Sequence, residues 1–133
     1  MARPKNQRVI GDPPKMQGFK PFGIPKGEVE VLHLLFEEYE SIKLLDYENL
    51  TQEEAAVRMN VSRPTITRIY EKARKTIARA FVEGKPVIIE GGDFLMESEW
   101  YRCGRCHKLF EGLENHFKCE KCPVFGESEL TKI

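Results

Sequence analysis

The sequence predicts a mainly α protein: a helix-turn-helix domain with short flanking β-strands, followed by a small C-terminal zinc-ribbon-like module. Three observations lead there. Ile66, Ile69, Tyr70, Ala73, Ile77 and Phe81 recur at helical spacing and make one apolar stripe. Capping residues at Thr51 and Ser62 mark the starts of a short helix and of the long one that carries this stripe. All four cysteines fall in the last quarter of the 133 residues, as two C-x-x-C pairs.

A chain of this length holds one domain of ordinary size plus a small satellite. Its hydrophobic content of 41% is that of a soluble globular protein, and no apolar run is long enough to span a bilayer. The N-terminus lacks the apolar core of a signal peptide, so a cytoplasmic protein without a membrane partner is expected. The formal net charge is zero, which by itself argues against a nucleic-acid partner. The distribution is segregated, however: +5 over 1–27, −6 over 28–50, +4 over 51–85 and −3 over 86–133. Positive segments separated by acidic ones fit a protein that offers one face to phosphate.

Residues 1–27 hold five of the eight prolines and four of the ten glycines, so they are expected to form a basic arm with little regular structure. Arg3, Lys5 and Arg8 would follow the backbone or minor groove of DNA, or else only solubilise a tail. Phe19 and Phe22 suggest that the later half of the arm packs on the domain. The domain itself is placed at 28–92. Glu28 to Leu34 reads as a short strand rich in Val and Leu, although a helix also fits. Phe36 to Asn49 reads as a helix with Tyr39, Ile42 and Leu45 inward and Glu37, Glu38, Glu40, Lys43, Asp46 and Glu48 outward. His33 is expected to be structural.

Thr51 opens the next helix through a capping box with Glu54, and Leu50 can staple it. Ala55, Ala56 and Met59 form its inner face, Ala56 leaving room for a close helix crossing. Asn60 stands where a left-handed residue must end that helix, and Val61 plugs the corner. Ser62 caps the second helix, Pro64 sits harmlessly in its first turn, and Gly84 and Pro86 stop it near Glu83. Its length exceeds what one groove contact uses, so the excess with Ile77 and Phe81 is available for a homodimer. Val87 to Glu90 form a strand to pair with 28–34, within the chain or across a dimer, and Gly91 and Gly92 end the domain.

Arg63, Thr67, Arg68, Lys72, Arg74 and Lys75 stay outside the apolar stripe. An ordinary amphipathic hairpin with a solvated basic face is the alternative to a DNA-binding one. The coincidence of caps, small crossing residue, left-handed turn and stripe at these offsets favours double-stranded DNA. Ser62 and the amides at the helix start would hold phosphate; Arg63, Thr67, Arg68 and Glu71 would face base edges; Lys72 and Lys75 would hold backbone; Thr65 belongs to the same surface.

The segments ARPK, FKPFGIP, EEYESIKLLDYENL, TQEEAAVRMNVSR and VIIEGG, in this order, closely resemble the small prokaryotic family of domain of unknown function 134. The resemblance covers roughly residues 2–92. It implies a helical DNA-binding domain with a helix-turn-helix similar to region 4 of sigma factors, and no known target. Asn60 stands where relatives commonly have Gly, and Pro64 where many have Gln. The second departure removes a polar side chain from the front of the recognition helix.

In the module placed at 93–133, Cys103, Cys106, Cys119 and Cys122 can supply four thiolates to one structural Zn²⁺ at about 2.3 Å each. Such a module is too small to fold on its core alone, and the metal would supply the folding energy. The ligands do not exclude iron. Haem attachment at C-x-x-C-H needs export, and disulfides are disfavoured in a reducing cytoplasm. His107 and His116 are expected at the surface or behind the ligands.

The expected function is a sequence-specific DNA-binding transcriptional regulator, probed by Arg68→Ala. Two alternatives remain: a sigma-region-4-like adaptor docking on the transcription machinery, and a metal- or redox-responsive regulator. No nucleophile with a base, phosphate loop or open metal site marks an enzyme.

Overall fold

A computed structural model describes residues 7–27, 29–104, 107–112 and 130–133. The chain divides into two compact units, Met1–Leu95 and Met96–Ile133.

The first unit begins with β1 (Arg8–Ile10), β2 (Gly18–Phe19) and β3 (Leu32–Leu34). Three helices follow, α1 (Phe36–Ile42), α2 (Gln52–Met59) and α3 (Arg63–Glu83), and then β4 (Val87–Ile89) and β5 (Phe94–Met96). Strand β4 is the centre of a three-stranded sheet, parallel to β3 and antiparallel to β2. The register places Leu32 beside Val87 and Leu34 beside Ile89. Alternation along the strands sends these four side chains inward, where they meet Ala73 and Ala80 of α3. The pairing expected between 28–34 and 87–90 therefore forms within one chain. Gly18 is required in β2, because a Cβ there would lie 2.0 Å from the Val87 carbonyl oxygen.

A second cluster, Leu44, Ala55, Ala56, Met59 and Ile66, joins α2 to α3. Each local signal acts here as the sequence requires. Thr51 Oγ1 accepts from Glu54 N–H at 3.1 Å, and Glu54 Oε1 accepts from Thr51 N–H at 3.2 Å. Asn60 ends α2 at φ 58°, ψ 45°, and Gly84 ends α3 at φ 66°. Ile77 and Phe81 stay exposed, whereas Ala80 fills the corresponding place in the core.

The fold class departs from expectation. Strand makes up 22% of the described residues, in three small sheets beside three helices, so the protein is a mixed α/β fold and not a mainly α one. The expected zinc-ribbon-like module is likewise not what is observed. The described part of the second unit is an antiparallel sheet of β6 (Trp100–Cys103), β7 (Leu109–Glu111) and β8 (Leu130–Lys132), with β6 central. The basic arm also supplies structure: β1 pairs with β5, and β2 with β4, so partners some 70 or more residues away override the local Pro and Gly content.

The acidic helix differs too. It stops at Ile42 and continues as a π-helical turn, Lys43–Tyr47, closed by Glu48 N–H to Lys43 O at 2.9 Å. Glu37, Glu38 and Glu40, expected outward, are buried. Arg8 Nε stands 2.9 Å from Glu37 Oε2, close but without hydrogen-bond alignment. Glu38 Oε1 accepts from Leu35 N–H at 2.8 Å and so caps its own helix. Glu40 accepts from Gly11 N–H at 3.3 Å and is ion-paired with Lys43 Nζ at 3.2 Å. One oxygen of each buried carboxylate accepts a backbone N–H, from Asp93, Leu35 and Gly11 respectively, while Glu37 Oε2, Glu38 Oε2 and Glu40 Oε2 accept no hydrogen bond among the described residues.

Candidate nucleic-acid interface

The α2–α3 pair carries a series of exposed basic residues, Arg63, Arg68, Lys72, Arg74 and Lys75, on a defined scaffold. Ser62 caps α3 by accepting from Thr65 N–H at 3.3 Å, and the Ser62 and Thr65 hydroxyls are 2.8 Å apart. Both α1 and α2 place two glutamates in the first turn, which offset the positive end of the helix dipole; the first turn of α3 has no acidic residue. Its N-terminus is thus the one among the three that its own sequence leaves open to an anion.

Two ties fix this end of α3 on α2. Arg63 Nη1 stands 3.1 Å from Glu53 Oε1, an exposed pair worth little by itself. Thr67 Oγ1 donates to Gln52 Oε1 at 2.5 Å and lies 3.0 Å from the Arg63 carbonyl. Behind them, Tyr70 donates to Asp46 of the π turn at 2.5 Å, which pushes the phenol pKa up, and the Arg74 guanidinium sits 5.3 Å over the Tyr70 ring. At the far end of α3, Arg79 and Lys85 are held by Glu30 at 2.8 and 2.7 Å.

What remains is Arg68, Glu71, Lys72 and Lys75, all exposed. Among the described residues these four have no ion pair or side-chain hydrogen bond. At 100° per residue they fall within an arc of about 100°, roughly opposite the buried stripe of Ile66, Ile69, Ala73 and Ala80. The expected set therefore divides. Ser62, Thr65, Arg63 and Thr67 build and brace the helix start, while Arg68, Glu71, Lys72 and Lys75 project from it. Gln52 and Glu53 were missed by sequence reasoning, because nothing in the local pattern shows which α2 side chains face α3 across the turn.

Arg8 sits in β1 against Glu37, mostly buried, and not on an extended arm. Arg3 and Lys5 lie outside the described residues. So do Cys106, Cys119 and Cys122, and no group of three or more potential metal ligands is found among the described residues. Cys103 is fully buried at the end of β6. The loop after it is closed by Cys103 N–H to Lys108 O and His107 N–H to Cys103 O, both 3.0 Å, with His107 at φ 62°. Arg102 Nη1 donates to the His107 carbonyl at 3.3 Å, and burial draws its pKa down.

These features define a small mixed α/β protein whose longest helix presents an exposed, mainly basic face. The profile of the family described as "Protein of unknown function DUF134" matches residues 1–97, and the chain belongs to that family. It is 44% identical over 126 residues to a UPF0251 protein of Halothermothrix orenii, covering 92% of this chain and 93% of that relative. It is 40% identical to one of Chloroherpeton thalassium, covering 92% and 82%, and 42% identical to one of Moorella thermoacetica, covering 98% and 86%. No solved structure matches. Among the described residues, no helix is long and apolar enough to cross a membrane.

Proposed function

We propose that the chain is a sequence-specific double-stranded DNA-binding protein, a transcriptional regulator, in which α2 and α3 act as a helix-turn-helix and α3 enters the major groove. The observation that carries this is the uncommitted face of Arg68, Glu71, Lys72 and Lys75 on a helix whose start is braced by α2. Bracing lowers the entropy lost on docking, and uncommitted cations release counterions without first breaking an internal pair. Arg68 reads a base edge, with Glu71 beside it to accept from a cytosine amino group; Lys72 and Lys75 hold phosphates. The open N-terminus of α3 takes a further phosphate, and Arg63 joins it on leaving Glu53.

Cys103, Cys106, Cys119 and Cys122 hold one Zn²⁺ in this proposal. The support is the chemistry of the four-thiolate set, with backbone hydrogen bonds of Cys103 to Lys108 and His107 on either side of the first pair. The bound metal supplies folding energy to the second unit.

The test is a salt series on a bound duplex. Affinity falling with a log–log slope of several units, reduced by about one in Lys72→Ala or Lys75→Ala, supports the assignment. Affinity independent of salt, or unchanged in both variants, overturns it.

A second assignment is docking on the transcription machinery, for which Val57, 81% exposed on α2, offers an apolar contact. Retention of polymerase subunits without DNA, lost in Val57→Glu, would support it.

A further inference from the structure

The C-terminal half of α3 carries apolar residues that the fold does not use. Phe81 is 87% exposed, Val82 80% and Ile77 39%, and Ala78 is exposed between them. Their i, i+1, i+4, i+5 spacing gathers them on one side of the helix, away from the core stripe.

We propose that this strip is the contact between two copies of the chain, α3 packing on α3 antiparallel about a two-fold axis that passes between Arg79 and Ala80. The choice of a second copy as occupant rests on the DNA-binding proposal above, and three features support it. First, the strip is self-complementary under that axis: Phe81 of one copy falls opposite Ala78 of the other, a ring against a methyl, and Ile77 falls opposite Val82. Second, the spacing fits DNA. Arg68 lies 11.5 residues from the axis, so at 1.5 Å per residue the two Arg68 positions stand about 35 Å apart, against about 34–36 Å for one turn of B-DNA. Third, the orientation fits. At 100° per residue the centre of the strip lies about 100° around α3 from the centre of the Arg68–Lys75 face. In a side-by-side antiparallel pair, faces a quarter-turn from the contact point the same way in both copies. Both reading faces then meet one side of a duplex, in successive major grooves, and any crossing of the two axes about the two-fold lowers both N-termini toward it or raises both together.

The experiment is sedimentation equilibrium of the full metal-loaded chain without DNA, as wild type and as Phe81→Glu with Val82→Glu, thermal unfolding being followed in parallel. A wild-type dimer whose dissociation constant rises at least about 30-fold in the variant, with cooperative unfolding of the variant retained, is expected. A monomer at all micromolar concentrations, or a dimer indifferent to the substitutions, overturns the proposal. Ala78→Arg serves as a second variant should the first unfold. A dimer dissolved by these variants in a protein that holds no duplex supports the interface and overturns the DNA assignment alone.

Discussion

Thr67 donates its hydroxyl to Gln52 Oε1 at 2.5 Å, a bond from the second turn of α3 to the first residue of α2. It separates side chains that orient the helix from side chains that project from it. Arg68→Ala should weaken binding to a preferred duplex by ~1 to 3 kcal/mol and relax discrimination at one or two base pairs. Gln52→Ala should weaken all duplexes alike, because it loosens the helix without removing a base contact. Anisotropy titrations against a set of single-base variants of the duplex separate the two patterns.

Arg8 beside Glu37 gives a stability prediction where a DNA contact was expected. Removing one member of a mostly buried pair leaves the other charge without compensation, so Arg8→Ala should cost about 3 kcal/mol. Arg8→Leu combined with Glu37→Gln should recover part of this. Urea denaturation of these two variants beside the parent measures it, and equal losses in the single and double variants would contradict the pairing.

Burial pushes the Glu40 carboxyl above its ordinary value of 4.5, against the opposing pull of Lys43 and the Gly11 amide. The folded chain then binds this proton more tightly than the unfolded one. Stability from this group is present at low pH and is lost as pH rises from about 4.5 through the raised folded value. Glu40→Gln is neutral throughout, so its stability relative to wild type should increase across that window and level off above it. Denaturation at several pH values between 4 and 8 checks the sign.

Asn60 holds φ 58° at the end of α2. Asn60→Ala should cost about 1 to 2 kcal/mol, whereas Asn60→Gly should be close to neutral, read from thermal melts.

If the four cysteines hold one Zn²⁺, the purified protein contains one equivalent by elemental analysis, and Cys103→Ser loses it. Stripping the metal should abolish the near-ultraviolet signal of Trp100 and Tyr101, both in the second unit, and spare the helical signal of the first. Duplex affinity falling with the metal would instead favour a metal-responsive regulator.

What the sequence made legible was local. Thr51 with Glu54, Asn60, Ser62 and Gly84 each act over three or four residues, and they bound α2 and α3 where the structure has them. Hidden were features whose partners are distant. Nothing within residues 8–19 announces that β1 and β2 will find β5 and β4, and Pro and Gly there argue for a loop. The outward placement of Glu37, Glu38 and Glu40 follows from helical periodicity alone. Their burial depends on Arg8, the amide of Gly11 and the turn before α1, which periodicity does not see. On α3 the exposed charged residues were identifiable from one helix, but the division between bracing and projecting ones needed α2 beside it.

The central claim, that α3 reads DNA, is tested most directly by incubating the full-length protein, purified with zinc present, with sheared DNA from its own genome and sequencing the retained fragments. A shared palindromic site with half-sites one helical turn apart, bound with affinity that falls steeply in salt and lost in Arg68→Ala, is predicted. Retention without enrichment of any sequence, or enrichment that Arg68→Ala leaves intact, would contradict it.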